Sequence, residues 1–149
     1  MKKIIILFFM LLLTGCASLT PTPGGGNWFK TQTSLNCGPT TVAVISNHKF
    51  GTNWTGKDIQ KLTGIQHEWW SDQEVKFALE KIGLRNVTMH YGRIPTNLNK
   101  NIMIKLWYPL FGEIHYQYVF QENFVADSLN GIHRRDLTDY YGTYYTWSN

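Results

Sequence analysis

The sequence predicts an α+β domain, and three observations carry that prediction. Between residues 37 and 83 the apolar side chains fall at helical spacing between recognisable caps. From residue 86 onward the chain changes to short aromatic and β-branched runs separated by turn chemistry. Helices first and antiparallel strands afterwards are the pattern of an α+β architecture. The stretch 28–149 contains no internal repeat and no second boundary in composition, so these elements belong to one domain, long enough to enclose a core.

Before that domain lies a leader. Lys2-Lys3 precedes an uninterrupted apolar run over residues 4–13, too short to span a bilayer and remain there. The run ends in Leu13-Thr14-Gly15-Cys16, which resembles the lipobox of bacterial lipoproteins. The resemblance implies that residues 1–15 are a signal peptide and that Cys16 takes the lipid, becomes the new N-terminus and anchors the chain in the bacterial cell envelope. The alternative is an ordinary secretory signal with Cys16 near its cleavage point. Ala17, rather than an aspartate, follows the cysteine; by resemblance to enterobacterial sorting this implies the periplasmic face of an outer membrane. Residues 16–27 contain Pro21, Pro23 and Gly24-Gly25-Gly26, the composition of a flexible tether.

In chain order, a helix begins at Cys37-Gly38-Pro39, continues through the apolar run 42–45 and stops near Gly51. A short helix over 58–62 follows Thr55-Gly56 and is closed by Gly64. Ser71-Asp72-Gln73-Glu74 has the form of a capping box, with Val75, Ala78, Leu79 and Ile82 on one face of the helix and Gly83 at its exit. Strands are expected over 86–91 and 102–108. A hairpin of 115–120 and 124–127 should turn at Glu122-Asn123, and a last strand covers 141–147. The segment 131–139 is expected to be loop with a helical turn.

The two cysteines have different fates in this scheme. Cys16 is consumed by lipid, leaving Cys37 as a solitary thiol in an exported chain, a liability unless it is buried or used. A thiol in the first turn of a helix sits among unpaired N–H groups at the positive end of the macrodipole, which favours the nucleophilic thiolate. Gly38 admits close approach of a substrate, and Pro39 suits a position where a missing N–H costs nothing. Gln32 lies upstream, where its amide could face a developing oxyanion. The same stretch also fits a buried structural cysteine opening an ordinary helix.

A thiol nucleophile needs a base, and the base an orienting group. His48 is at the far end of the nucleophile's own helix, His67 in a loop, His90 at a strand end, and His133 beside Arg134-Arg135. His115 differs, because it starts a strand with Asp127 on the neighbouring one. By the period of two, His115, Gln117 and Val119 share a face, as do Val125 and Asp127, and in a tight hairpin the two faces can coincide. Asp127-Ser128-Leu129-Asn130-Gly131 is also good turn chemistry in its own right.

The order of Gln32, then Cys37-Gly38-Pro39 opening a helix, a later helix leaving through Lys81-Ile82-Gly83-Leu84, a His115-led strand and an Asp127–Gly131 segment resembles the bacteriocin-processing double-glycine peptidases, which are papain-like cysteine peptidases. Leu137-Thr138-Asp139 is similar to that family's closing acidic turn, while Ser128 stands where the family usually has proline. The resemblance spans residues 32–147. It implies a papain-like fold with Cys37 as nucleophile, His115 as general base, Asp127 as orienter and Gln32 as oxyanion donor.

The expected function is therefore that of a lipid-anchored thiol hydrolase, a cysteine peptidase acting on a peptide or protein. The alternative is an inactive papain-like module that binds an envelope partner. Aromatic residues make up 15% of the chain and crowd its second half, which fits either core packing or a binding groove. Lys2 and Lys3 account for two of the 14 basic residues, leaving 12 against 10 acidic ones in the mature chain. That weak and scattered charge gives no footing for nucleic acid. Dispersed histidines without metal-ligand spacing predict neither metal nor cofactor.

Overall fold

The computed structural model describes residues 28–30, 36–95, 101–108, 113–121 and 124–148. The expected leader, Cys16 with its expected lipid, the expected tether and Gln32 lie outside the described residues, as does the expected turn at Glu122-Asn123. Three helices, α1 (Cys37–Phe50), α2 (Gly56–Thr63) and α3 (Asp72–Lys81), precede six strands. These are β1 (Arg85–Arg93), β2 (Ile102–Tyr108), β3 (Glu113–Gln121), β4 (Phe124–Asp127), β5 (Gly131–Arg134) and β6 (Tyr141–Ser148). The strands form one antiparallel sheet in the order β1-β6-β2-β3-β4-β5, with the helices packed on it.

Helix α1 is the centre of the core. Every residue from Cys37 to Asn47 is buried, as expected of a helix whose apolar residues leave no wet stripe. Capping boxes start both other helices. Thr55 and Asp58 exchange side-chain and backbone contacts at α2, and Ser71 and Glu74 do so at α3. At the α3 exit the last helical residue is followed by Ile82 as C-cap, and Gly83 takes φ +101° one position later. The Gly83 N–H then reaches Glu80 O and the Leu84 N–H reaches Leu79 O, a Schellman arrangement that a residue with a Cβ adopts only under strain.

Alternation along β3 divides the sheet into two faces. Ile114, Tyr116, Tyr118 and Phe120 belong to the core shared with the helices. Val119 joins Ile94, Ile102, Ile104, Leu106, Val125 and Tyr144 in a second apolar cluster, against which Leu137 and Tyr140 pack. The segment carrying those two residues is tied down by Tyr140, whose hydroxyl donates to the carbonyls of Lys105 and Thr143.

Three expectations need correction. Residues 131–134 are a strand paired with β4 in the register Phe124↔Arg134 to Asp127↔Gly131, not loop with a helical turn. Four residues with Ile132 as the sole apolar member carry no legible period, and only backbone pairing with β4 makes them extended. His90 lies within β1 rather than at its end, stacked on Tyr144 at 4.8 Å. His115 is the third residue of its strand, not the first.

Helix α2 meets α1 through a glycine contact beside the thiol. A Cβ at Gly56 would lie 2.7 Å from Thr40 Oγ1 and 3.2 Å from both Asn36 Nδ2 and the Thr40 backbone nitrogen. Gly56→Ala should therefore push α2 away from the start of α1 and cost about 1–3 kcal/mol, the usual range for overpacking. The check is a urea unfolding curve, with a lower midpoint at unchanged slope as the expected result.

Candidate active site

The N-terminus of α1 is docked on β3 by two contacts on either side of His115. The Cys37 thiol points at the Ile114 carbonyl oxygen at 3.6 Å, and Thr41 Oγ1 donates to Tyr116 O at 3.1 Å. Asn36, the residue before the helix, uses its side-chain oxygen to accept from Thr40 Oγ1 at 3.2 Å and does not cap the helix with it. The Trp70 side chain packs over Gly38, where a Cβ would stand 3.5 Å from it.

His115 Nε2 donates to Asp127 Oδ1 at 2.7 Å. A carboxylate only accepts, so the Nε2 end carries the proton and Nδ1 is left as the nitrogen that can meet Cys37. The imidazole interacts with both Cys37 and Asp127. Burial opposes its positive charge, but hydrogen bonds to Asp127 and Cys37 and the charge of the Asp127 carboxylate more than offset this and raise its pKa to about 9. For Asp127, burial works against the carboxylate, yet contacts from His115, Asn130 and the Leu129 N–H hold its pKa well below the usual range. The structure thus brings Cys37, His115 and Asp127 together, while Gln32 lies outside the described residues. His115 is diagonal to Asp127 across the hairpin, because Gln117↔Asp127 and Val119↔Val125 are the direct pairs.

The other described histidines are engaged elsewhere. His48 Nδ1 meets the Tyr118 hydroxyl at 2.8 Å, His67 Nε2 meets Glu74 Oε1 at 2.9 Å, and His90 Nε2 meets Thr146 Oγ1 at 2.9 Å. His133 is partly buried in β5, its Nδ1 donating to Gly131 O at 3.2 Å. Among the described residues no three His, Cys, Asp or Glu side chains group as metal ligands would.

Sequence reasoning passed over two groups at this site. Gln117 is fully buried and donates through Nε2 to Asp127 Oδ2. Asn130 holds the same carboxylate twice, Nδ2 to Oδ2 at 3.0 Å and backbone N–H to Oδ1 at 3.2 Å. The period of two had placed Gln117 beside His115. A polar residue on the buried face of an apolar strand was the signal that it served something.

The fold is similar to that of two solved peptidase domains. One is the peptidase domain of Streptococcus ComA, a bifunctional ABC transporter involved in quorum sensing, with a TM-score of 0.60 and 14% identity over 80% of this chain and 96% of that one. The other is a double-glycine-motif protease from an AMS/PCAT transporter, solved in complex with a leader peptide, with a TM-score of 0.56 and 16% identity over 80% of this chain and 89% of that one. No protein-family model and no curated protein matches the sequence. The chain has the papain-like fold of double-glycine peptidase domains, helices packed on an antiparallel sheet.

The charged pair at the site should appear in the pH dependence of stability. His115 has a folded-state pKa raised above its ordinary 6.5, so its contribution is complete below 6.5 and is lost as pH rises through about 9. Asp127 is shifted the other way, so its contribution is present above the ordinary 3.8 and is lost as pH falls toward its folded value. Urea midpoints measured across the pH range should decline on the alkaline side between 6.5 and 9, and His115→Ala should flatten that limb. A wild-type midpoint that is level across that interval would contradict the pairing.

Proposed function

We propose that this chain is a lipid-anchored thiol hydrolase of the bacterial envelope, a cysteine peptidase that cleaves peptide or amide bonds. The observation that supports it most is one imidazole, His115, shared between a carboxylate that can orient it and the thiol at a helix N-terminus. In this reading Cys37 and His115 rest as a thiolate–imidazolium pair, the thiol proton already on Nδ1, and the sulfur attacks the substrate carbonyl carbon. The oxyanion is held by the Cys37 N–H and by Gln32. The tetrahedral adduct then collapses, breaking the C–N bond; the leaving amine takes the proton from His115 and a thioester remains. Water, deprotonated by His115, attacks the thioester carbonyl; the C–S bond breaks, the carboxylic acid product leaves, and the Cys37 thiolate is restored beside the protonated imidazole. Asp127 stays ionised throughout and holds the ring. The solved relative with a bound leader peptide favours a peptide as substrate.

A second reading is a binding module that keeps the fold without the chemistry. Cys37 is only 9% exposed, and its S–H points to the Ile114 carbonyl rather than to open space. The two readings part on thiol chemistry. For the enzyme, Cys37→Ala abolishes hydrolysis of a peptide library, and His115→Ala lowers both hydrolysis and iodoacetamide labelling of Cys37 at neutral pH by about 10²–10⁴-fold. Gln32→Ala should spare labelling and reduce turnover by about 10²–10³-fold. Labelling indifferent to His115 selects the binding module.

The anchor is tested separately, by expression of the full chain with Cys16→Ser. Accumulation of unprocessed precursor is the expected result; normal processing with release of a soluble domain would rule lipidation out.

A further inference from the structure

Asp127 is held from the far side of the hairpin as well as by the turn that follows it. Gln117 lies one alternation along β3 from His115 and directly opposite Asp127, with no exposure to solvent. Its Nε2 donates to Asp127 Oδ2, and its Oε1 accepts from Arg135 Nη1 at 3.2 Å. A primary amide has a donor end and an acceptor end, whereas a guanidinium only donates and a carboxylate only accepts. With Arg135 on one side and Asp127 on the other, a single orientation of the amide is attractive at both ends. Reversed, its oxygen would face Oδ2 and its NH₂ would face the guanidinium.

This has consequences for the carboxylate. Oδ1 accepts from His115 Nε2, from Leu129 N at 2.8 Å and from Asn130 N, while Oδ2 accepts from Gln117 and Asn130 Nδ2. A partial turn about Cβ–Cγ would carry both oxygens out of line with their donors and misalign the bond to the imidazole. The turn donors at Leu129 and Asn130 resist that motion from one side of the carboxylate, and Gln117 resists it from β3. A donor fixed on β3 and locked by a cation from the segment after β5 is independent of the turn.

We propose that Arg135, acting through the Gln117 amide, is a positioning residue that holds Asp127 in the rotamer His115 requires. The proposal rests on the reading of Cys37, His115 and Asp127 as a nucleophilic site. Other groups facing Asp127 are His115 and Gln117 from β3, Asn130 from the turn, His133 on the same face of β5 by the register Val125↔His133, and Cys37 of α1 across the imidazole.

The test is the titration of the His115 ring by ¹⁵N NMR in the wild-type chain and in Arg135→Met, Arg135→Lys and Gln117→Leu. Arg135 is only partly buried, so methionine keeps most of its packing. Two effects of removing the guanidinium have opposite signs. Loss of a nearby cation by itself raises the His115 midpoint, because the imidazolium is repelled less. Loss of positioning lowers it, because the bond to Asp127 is misaligned. The expected result is a midpoint lowered by roughly one pH unit in Arg135→Met, the scale of a weakened charge-assisted hydrogen bond. Gln117→Leu should lower it similarly, the double variant should go no further, and Arg135→Lys should restore at least half of the shift. A midpoint that is unchanged or raised in Arg135→Met overturns the proposal, even if thermal stability falls. Because the ring titration does not require turnover, a lowered midpoint supports the relay even where Cys37 labelling ignores His115, a result that would sink the enzyme reading alone.

Discussion

A carboxylate with no solvent exposure is costly unless every lone pair finds a donor, and Asp127 is such a group. Its donors come from His115 and Gln117 on β3 and from the backbone and side chain of the turn at Leu129 and Asn130. Much of the second half of the chain is arranged around that requirement. The β3–β4 register sets Gln117 opposite it, the turn after β4 folds its N–H groups back on it, and the segment beyond β5 returns Arg135 to Gln117. Removal of any one donor leaves part of a buried charge unsolvated, so the cluster forms as a unit.

The same cluster settles the state of the imidazole. His115 faces away from the helices by the alternation of β3, yet Ile114 and Tyr116 on either side of it hold the first turn of α1 through their carbonyls. The thiol is therefore delivered to the strand by backbone contacts, and the histidine is presented to it from the opposite face by the carboxylate. The site lies where the helix-side core and the second cluster meet. Helix α1 can be buried along Cys37–Asn47 because α2 and α3 cover it, and Gly56 permits that approach where α2 begins. The precision of the thiol position thus depends on packing among all three helices.

Much of the architecture was legible because it is written locally. Capping residues adjoin the turns they close, so Ser71 with Glu74, and Thr55 ahead of its helix, marked helix starts without reference to the rest of the chain. β2 was readable to the residue because its seven residues include a run of buried apolar side chains, Ile102, Met103, Ile104 and Leu106, that carries its own composition. β5 was not, since four residues with one apolar side chain are extended only because β4 lies alongside. His90 and the start of β3 were misplaced for a related reason: strand ends depend on the partner strand, and the partners are distant in sequence.

The candidate site divides along the same line. Legible without any long-range contact are the cysteine that opens a helix, the shared strand face of His115, Gln117 and Val119, and the turn headed by Asp127, because these depend on the periods of helix and strand and on the chemistry of neighbouring residues. What only the tertiary contacts fixed is that Gln117 and Asn130 complete the carboxylate and that Arg135 reaches Gln117. Those contacts join residues from different elements. They are fixed by strand register and by the docking of α1 on β3, and the energies that select them are the long-range burial of charge and apolar surface, which no local stretch of sequence contains.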